Sequence, residues 1–294
     1  MKKILIFFYR YTEVFIFKNF WLTRFRAIRY FRRRFYRLVS RYKSDYTEIE
    51  GRKMYLDKND SLKLSLYPYA NEQTNFFKKN IKEGDVVLDL GANIGYFTCL
   101  FAQLVGKTGK VFAFEPEPNN FELLKKNIGV NEYKNVTIEQ KAVTNKTGKI
   151  KMFLSNSPKD HRIYDPNDNR DFIEIDAIAL DDYFKDFNQE INFVKSNVQG
   201  ADFGAFEGML SIVEKCKSNI VMALEFSPAL LKGFGSDPEK FVDLLIEYGF
   251  KIHDIRLYEK ILPISKEQLL QEYTVENKKG GFLLCIPPNS SVVL

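Results

Sequence analysis

The chain has 294 residues, 45% hydrophobic and 28% charged, apolar enough to bury a sizeable core and too apolar for a disordered chain. Its three cysteines, Cys99, Cys216 and Cys285, are scattered and odd in number, which excludes a disulfide framework or a zinc spacing and makes a reducing, cytoplasmic compartment the expectation. The formal charge of +6 is uneven: residues 1–50 hold thirteen Lys and Arg against four Asp and Glu, leaving about −3 on the rest, so the body is not a basic nucleic-acid binder by composition.

Residues 1–43 are rich in aromatics and arginine. Arg10, Glu13 and Lys18 interrupt the first apolar run and no small-residue cleavage site follows, which argues against a signal peptide or a spanning helix. Phe7, Tyr11, Val14, Phe15, Leu22, Phe25, Ile28, Phe35 and Leu38 recur at helical spacing, with Arg26, Arg29, Arg33, Arg37 and Arg41 largely on other faces. This predicts a basic amphipathic helical extension in one or two pieces. Two readings stand level: an interfacial helix at the inner face of an anionic membrane, and a helix packed on the body or on a second subunit. Contact with nucleic acid ranks third.

Residues 44–71 shorten into alternation at 53–56 and 62–67, with Asn59-Asp60 as turn signal, which predicts a small hairpin leading into a main domain over 72–294. That domain opens with a helix over 72–81 and a turn over 82–85. Val86-Val-Leu-Asp-Leu-Gly-Ala-Asn-Ile-Gly95 reads as a buried strand breaking into a glycine-spaced turn, followed by a helix over 96–105. A second apolar strand, 111–115, ends on Glu115, and a helix follows over 118–127. Strands are predicted over 136–143 and 149–154, a polar loop over 155–170, a strand over 172–178 and a helix start at 179. Beyond it come a strand over 191–196, a helix over 203–216, a strand over 219–225, a helix over 238–248, and strands over 251–257 and 281–286. Strands alternating with helices imply a mostly parallel sheet covered on both faces. A strand, a glycine turn, a helix and a second strand ending in an acid make the first half of a nucleoside-binding unit.

The run Asp89-Leu-Gly-Ala-Asn-Ile-Gly-Tyr-Phe97, then Phe114-Glu-Pro116 with Asn119, then Lys141-Ala-Val143, then Lys195-Ser-Asn-Val-Gln-Gly-Ala-Asp202, in that order and spacing, resembles the FkbM family of S-adenosylmethionine-dependent methyltransferases over roughly 72–255. The resemblance implies a seven-stranded class I methyltransferase (Rossmann-like) α/β fold, S-adenosylmethionine as cofactor, and O-methylation of a hydroxyl on a sugar, glycan or small natural product. It places Asp89, Gly91, Asn93, Gly95, Phe97, Glu115, Pro116 and Ala142 at the cofactor. Gly91 and Gly95 would let the backbone approach it, and Asp89 would fix the turn or meet the methionyl ammonium through water. Glu115 would accept from both ribose hydroxyls, and Ala142, ending the third strand, would lie near the adenine. A nicotinamide dehydrogenase could use a similar turn and acid, but its glycines would be spaced G-x-G-x-x-G, whereas here the spacing is G-x-x-x-G.

The catalytic candidates are His161, Lys195, Asn197, Gln199, Asp202 and Glu225. The family's fourth-strand motif carries an acid where this chain has Asn197, and an amide cannot take a proton from a hydroxyl. Another base has taken over, the acceptor needs only positioning, or activity is lost. His161, in the polar loop, is a possible base near neutral pH. Lys195 suits positioning better than proton abstraction. A methyltransferase-like binding module without turnover, held at a membrane surface, is the alternative from a different class. A nucleic-acid methyltransferase is a weaker one, because no aromatic Pro-Pro site follows the fourth strand.

Overall fold

A computed structural model describes residues 45–65, 71–255, 261–288 and 290–294, together with Tyr30 and Arg34. Apart from those two residues, the extension read over 1–43 lies outside the described residues. The chain divides into two compact units, Met1–Tyr69 and Ala70–Leu294. In the first, β1 (Tyr46–Ile49) and β2 (Arg52–Tyr55) form an antiparallel hairpin. Its turn is Glu50-Gly51, both at positive φ (52° and 79°), the backbone that a two-residue hairpin needs to match strand twist. The hairpin thus lies upstream of the position expected from Asn59-Asp60. Asp60 instead organises a loop, its carboxylate accepting from the backbone N–H of Leu64 at 2.9 Å and of Ser65 at 3.2 Å.

The second unit opens with α1 (Asn71–Asn80). Next come β3 (Val86–Leu90), α2 (Tyr96–Leu104), β4 (Lys110–Phe114), α3 (Pro118–Val130) and β5 (Val136–Glu139). After a break follow β6 (Ala142–Val143), β7 (Gly148–Phe153), β8 (Phe172–Ile178) and the single turn α4 (Leu180–Tyr183). The remainder is β9 (Phe193–Ser196), α5 (Asp202–Glu207), α6 (Leu210–Cys216), β10 (Val221–Phe226), α7 (Pro228–Phe234), α8 (Pro238–Glu247), β11 (Lys251–Ile255), β12 (Ile261–Pro263), α9 (Lys266–Glu272) and β13 (Gly281–Ile286).

The main sheet has eight strands in the order β12-β11-β13-β10-β9-β3-β4-β5. From β10 to β5 every pairing is parallel; β13 runs antiparallel between β10 and β11. The seven strands β11 to β5 make the expected mostly parallel class I arrangement, and β12 adds an antiparallel edge strand. The inner strands are buried throughout, VVLDL in β3 and FVKS in β9, as a sheet covered on both faces requires. On one face Leu88, Val194, Leu224 and Leu283 join a core with Phe206, Met209 and Phe241. Around α1 and α2, the rings of Phe77, Phe97 and Phe101 meet edge to face and stacked, the geometry that aromatic quadrupoles favour.

Two predicted elements are each split. The strand expected over 136–143 leaves the main sheet after Glu139, whose carboxylate accepts from the Tyr183 hydroxyl at 3.0 Å and pairs with Lys141 at 3.1 Å. Ala142 and Val143 then pair with β8 in a separate three-stranded sheet, β6-β8-β7. The helix expected over 203–216 breaks at Gly208, where an added Cβ would lie 2.1 Å from the Thr144 carbonyl oxygen. The Asp181 carboxylate caps the second piece by accepting from the N–H of Ser211 and Ile212. The short elements α7, β12 and α9 were not anticipated.

Candidate functional site

In β3, β4, β9 and β10 the carboxyl ends of the strands converge where the sheet order reverses, between β3 and β9. In doubly wound sheets that is the crevice that receives ligands. Asp89, one residue before the end of β3, is fully buried. Its Oδ1 accepts from Lys195 Nζ at 2.9 Å and its Oδ2 from Thr98 Oγ1 at 2.6 Å. The same ammonium donates to the carbonyls of Gly91 at 2.8 Å and Leu90 at 3.3 Å and sits 5.7 Å from the Phe97 ring centre. Asp89 and Lys195 therefore tie the glycine turn to β9. Asp89 thus spends both oxygens on fastening the turn, and Lys195 spends its ammonium on Asp89 and two turn carbonyls.

The turn itself holds Gly91, Asn93 and Gly95 at φ 71°, 53° and 88°. Gly91 faces protein closely: a Cβ there would lie 2.0 Å from the Asn197 carbonyl oxygen. The N–H groups of Gly91 and Ala92 both donate to the Phe114 carbonyl at 3.0 Å, bringing the turn beside the end of β4. There Glu115 is buried, with 6% of its surface exposed. Its Oε2 accepts from the Asn93 N–H at 2.7 Å, and its Oε1 from the Glu117 N–H at 3.1 Å and from Asn120 Nδ2 at 3.4 Å. Burial outweighs these bonds and pushes its carboxyl up to about 7. Oε2 keeps acceptor capacity for one hydroxyl, and Oε1 would take a second in place of the long Asn120 contact, so Glu115 fits a ribose diol. Pro116 follows it, half-buried.

Two residues expected at the cofactor are engaged elsewhere. Phe97 is buried and packs on Phe77, Tyr96 and Phe101, a core position set by the helical spacing of α2. The Ala142 side chain packs with Met152, Ile175 and Ala177 inside the small sheet, because the chain leaves β5 before reaching it.

On the other side of the reversal, Asn197, Gln199, Asp202 and Glu225 come together. Parallel pairing sets Ser196 beside Leu224, so Asn197 and Glu225 occupy equivalent positions at adjacent strand ends. Gln199, in the left-handed region at φ 56°, donates through Nε2 to Asn197 Oδ1 at 2.9 Å and lies 3.4 Å from Glu225 Oε2. Asp202 is turned inward, accepting from Ser196 Oγ at 2.6 Å and, at 3.4 Å each, from the N–H groups of Val198 and Gly200. Burial raises its pKa. Burial and then the Asp202 charge raise that of Glu225, against the opposing pull of Lys195 and Arg162. A carboxylate held this way is a stronger base once ionised.

The polar loop passes over this region. Pro158 accepts at its carbonyl from Asn93 and Asn120. The Arg162 guanidinium pairs with Asp160 at 2.7 Å and donates to the Tyr164 hydroxyl at 3.1 Å. His161 is half-buried, and burial lowers its pKa. Its Nδ1 accepts from the Ser155 N–H at 3.1 Å, so the neutral ring carries its proton on Nε2 and has no free lone pair. In this arrangement His161 braces the loop. Thr98, Asn120 and Arg162 were missed by sequence reasoning, and Ser196 entered it only as a member of the Lys195–Asp202 motif. Of the other three, Thr98, one helical turn beyond the glycine turn, had a local signal.

Residues 89–252 match the methyltransferase FkbM domain. Over 59 residues the chain is 36% identical to protein-L-isoaspartate O-methyltransferase 1 of Archaeoglobus fulgidus, covering 20% of this chain and 27% of that one. It therefore spans about a quarter of the length of this curated relative. Among solved structures, the methyltransferase FkbM of Methylobacillus flagellatus KT is 14% identical at a TM-score of 0.43, covering 69% of this chain and 44% of that one. A SAM dependent methyltransferase of Aquifex aeolicus is 14% identical at a TM-score of 0.38, covering 74% and 90%.

Proposed function

We propose, from the premise that the chain belongs to the methyltransferase FkbM domain family, that it transfers a methyl group from S-adenosylmethionine to a hydroxyl of a sugar, glycan or small natural product. The observation carrying this reading is the buried Glu115, bonded to the backbone of the glycine-spaced turn with acceptor capacity left for a diol. S-adenosylmethionine, when bound, supplies an electrophilic methyl on a sulfonium. Glu115, held by the Asn93 N–H, would hold its ribose, and the chain's contribution to rate is alignment, since in-line displacement depends on geometry.

Glu225 is the group best placed to take the acceptor's proton, and Asn197, without a carboxylate, serves as a neutral hydrogen-bonding partner bridged to it through Gln199. Glu225, its pKa raised by burial and by the Asp202 charge, would take the proton that the acceptor hydroxyl gives up. The departure at Asn197 also favours a second reading, a binding module that holds the methyl donor without turnover.

Calorimetry with S-adenosylhomocysteine and transfer of a labelled methyl group to hydroxyl-bearing extracts separate the two. Binding with transfer supports the enzyme; binding alone supports the module; a folded chain that gives no heat defeats both. Residues 1–43 belong to the same proposal as a peripheral contact with anionic membrane. Co-sedimentation with anionic vesicles that is unchanged on removing residues 1–43 would refute that part. Among the described residues no helix is long and apolar enough to cross a membrane.

A further inference from the structure

We propose that Asn93 and Asn120 form a latch on the Pro158 carbonyl, coupling the position of the 155–170 loop to occupancy of Glu115. This rests on the methyl-donor reading of that site and assigns a positioning role to Asn120, which no motif marks.

The loop is braced within itself. Phe153 and Arg162 exchange backbone hydrogen bonds at 2.7 and 3.1 Å, Ser155 donates to the His161 ring, and Arg170 Nη1 donates to the Asp160 carbonyl at 2.8 Å. At its far end Tyr164 packs on Phe234, and a Cβ on Gly233 would lie 2.9 Å from the Tyr164 ring. At its near end the Pro158 carbonyl accepts from Asn93 Nδ2 and Asn120 Nδ2, each at 3.0 Å. Both lone pairs of that oxygen are used, and the donors come from the glycine turn and from the first turn of α3.

The same two residues hold Glu115. Asn93 gives it a backbone N–H at 2.7 Å, and Asn120, buried to 3% exposure, divides its amide between Glu115 Oε1 at 3.4 Å and Pro158 at 3.0 Å. An amide group has two hydrogens in fixed geometry, so a weaker demand on one side sharpens the other. Hydroxyls donating to Glu115 take over the acceptor capacity for which Asn120 competes. The amide then turns fully to Pro158 and the loop closes down. When the diol leaves, Glu115 draws Asn120 back and the latch loosens. The loop carries Arg162, one of the groups acting on Glu225, so the latch also sets the environment of the proposed base.

The test is hydrogen exchange of the full chain, read on peptides covering 155–164, with and without S-adenosylhomocysteine. In the wild type the ligand slows exchange there. Without ligand, Asn120→Ala speeds it about three- to ten-fold, the loss expected for one net hydrogen bond, and abolishes the further slowing by ligand. Asn93→Gly tolerates the positive φ and keeps the backbone N–H to Glu115 while removing the amide, and it shifts ligand-free exchange in the same direction. Unchanged ligand-free exchange in both variants overturns the latch. A folded wild type that does not bind S-adenosylhomocysteine removes the methyl-donor reading and the coupling with it, while the ligand-free comparison still decides the latch.

Discussion

Lys195→Met is the substitution whose consequence follows most directly from the geometry. Lys195 is 5% exposed and Asp89 0%, and the ammonium bonds the carboxylate and the carbonyls of Leu90 and Gly91 at 2.9, 3.3 and 2.8 Å. Met matches the length of the side chain and removes the charge, leaving a carboxylate sealed from water with the Thr98 hydroxyl as its one side-chain donor among the described residues. Breaking one side of a buried pair costs about 3–5 kcal/mol, most of it the uncompensated charge. At about 2–4 °C per kcal/mol for a domain of this size, that lowers the melting temperature by about 6–20 °C. Asp89→Asn costs less, about 1–3 kcal/mol, because the ammonium keeps two carbonyls and gains an amide oxygen. Neutralising both partners removes the stranded charge, so the double variant recovers part of the Lys195→Met loss and the two losses are not additive. Urea unfolding of all four proteins, followed by near-ultraviolet circular dichroism, measures each quantity. A Lys195→Met loss under 1 kcal/mol, or strict additivity, would refute the claim that this pair fastens the turn to β9.

Four further expectations rest on Glu225, Glu115 and Gly91. Glu225→Gln keeps the size of the side chain and removes the proposed base, so methyl transfer falls about 10²- to 10⁴-fold while calorimetric affinity for S-adenosylhomocysteine stays within about two-fold; equal losses in both would place Glu225 at the cofactor instead. In the wild type, the raised pKa of Glu225 makes kcat climb with pH across neutrality rather than level off near the usual carboxylate value of about 4.3. Glu115, raised from 4.5 to about 7 by burial, binds more proton folded than unfolded between those values. Its contribution to stability is thus full below about 4.5 and lost as pH rises through about 7. Glu115→Gln flattens that part of a stability–pH profile measured by denaturant midpoints, and an unchanged slope would disprove the assigned burial cost. Gly91→Ala must move the Asn197 carbonyl, 2.0 Å from the new Cβ, and occupy φ 71°. A stability loss above about 2 kcal/mol is expected, and a thermal melt matching the wild type would contradict that contact.

Strand ends were legible in the sequence, but the direction in which a side chain at a strand end spends its bonds was not. Asp89 and Glu115 look alike in the chain, each an acid closing an apolar run before a turn. One is consumed by Lys195, 106 residues away, and by Thr98; the other meets mainly backbone donors and keeps room for a hydroxyl. Continuous apolar runs located β3, β4, β9 and β10 because burial on both faces is written locally. Local pattern could not tell that Thr144 would press on Gly208 and break a helix, or that Ala142 would leave the parallel sheet for β8, since both depend on distant backbone. The same reason hides Asn120. As a neutral residue inside an ordinary helical turn it has no signature, and its role exists only because Pro158, 38 residues on, folds back to it. Residues that contact a ligand are constrained by chemistry and stand out as residue types, whereas residues that position them are constrained by geometry alone and emerge only when the chain is folded.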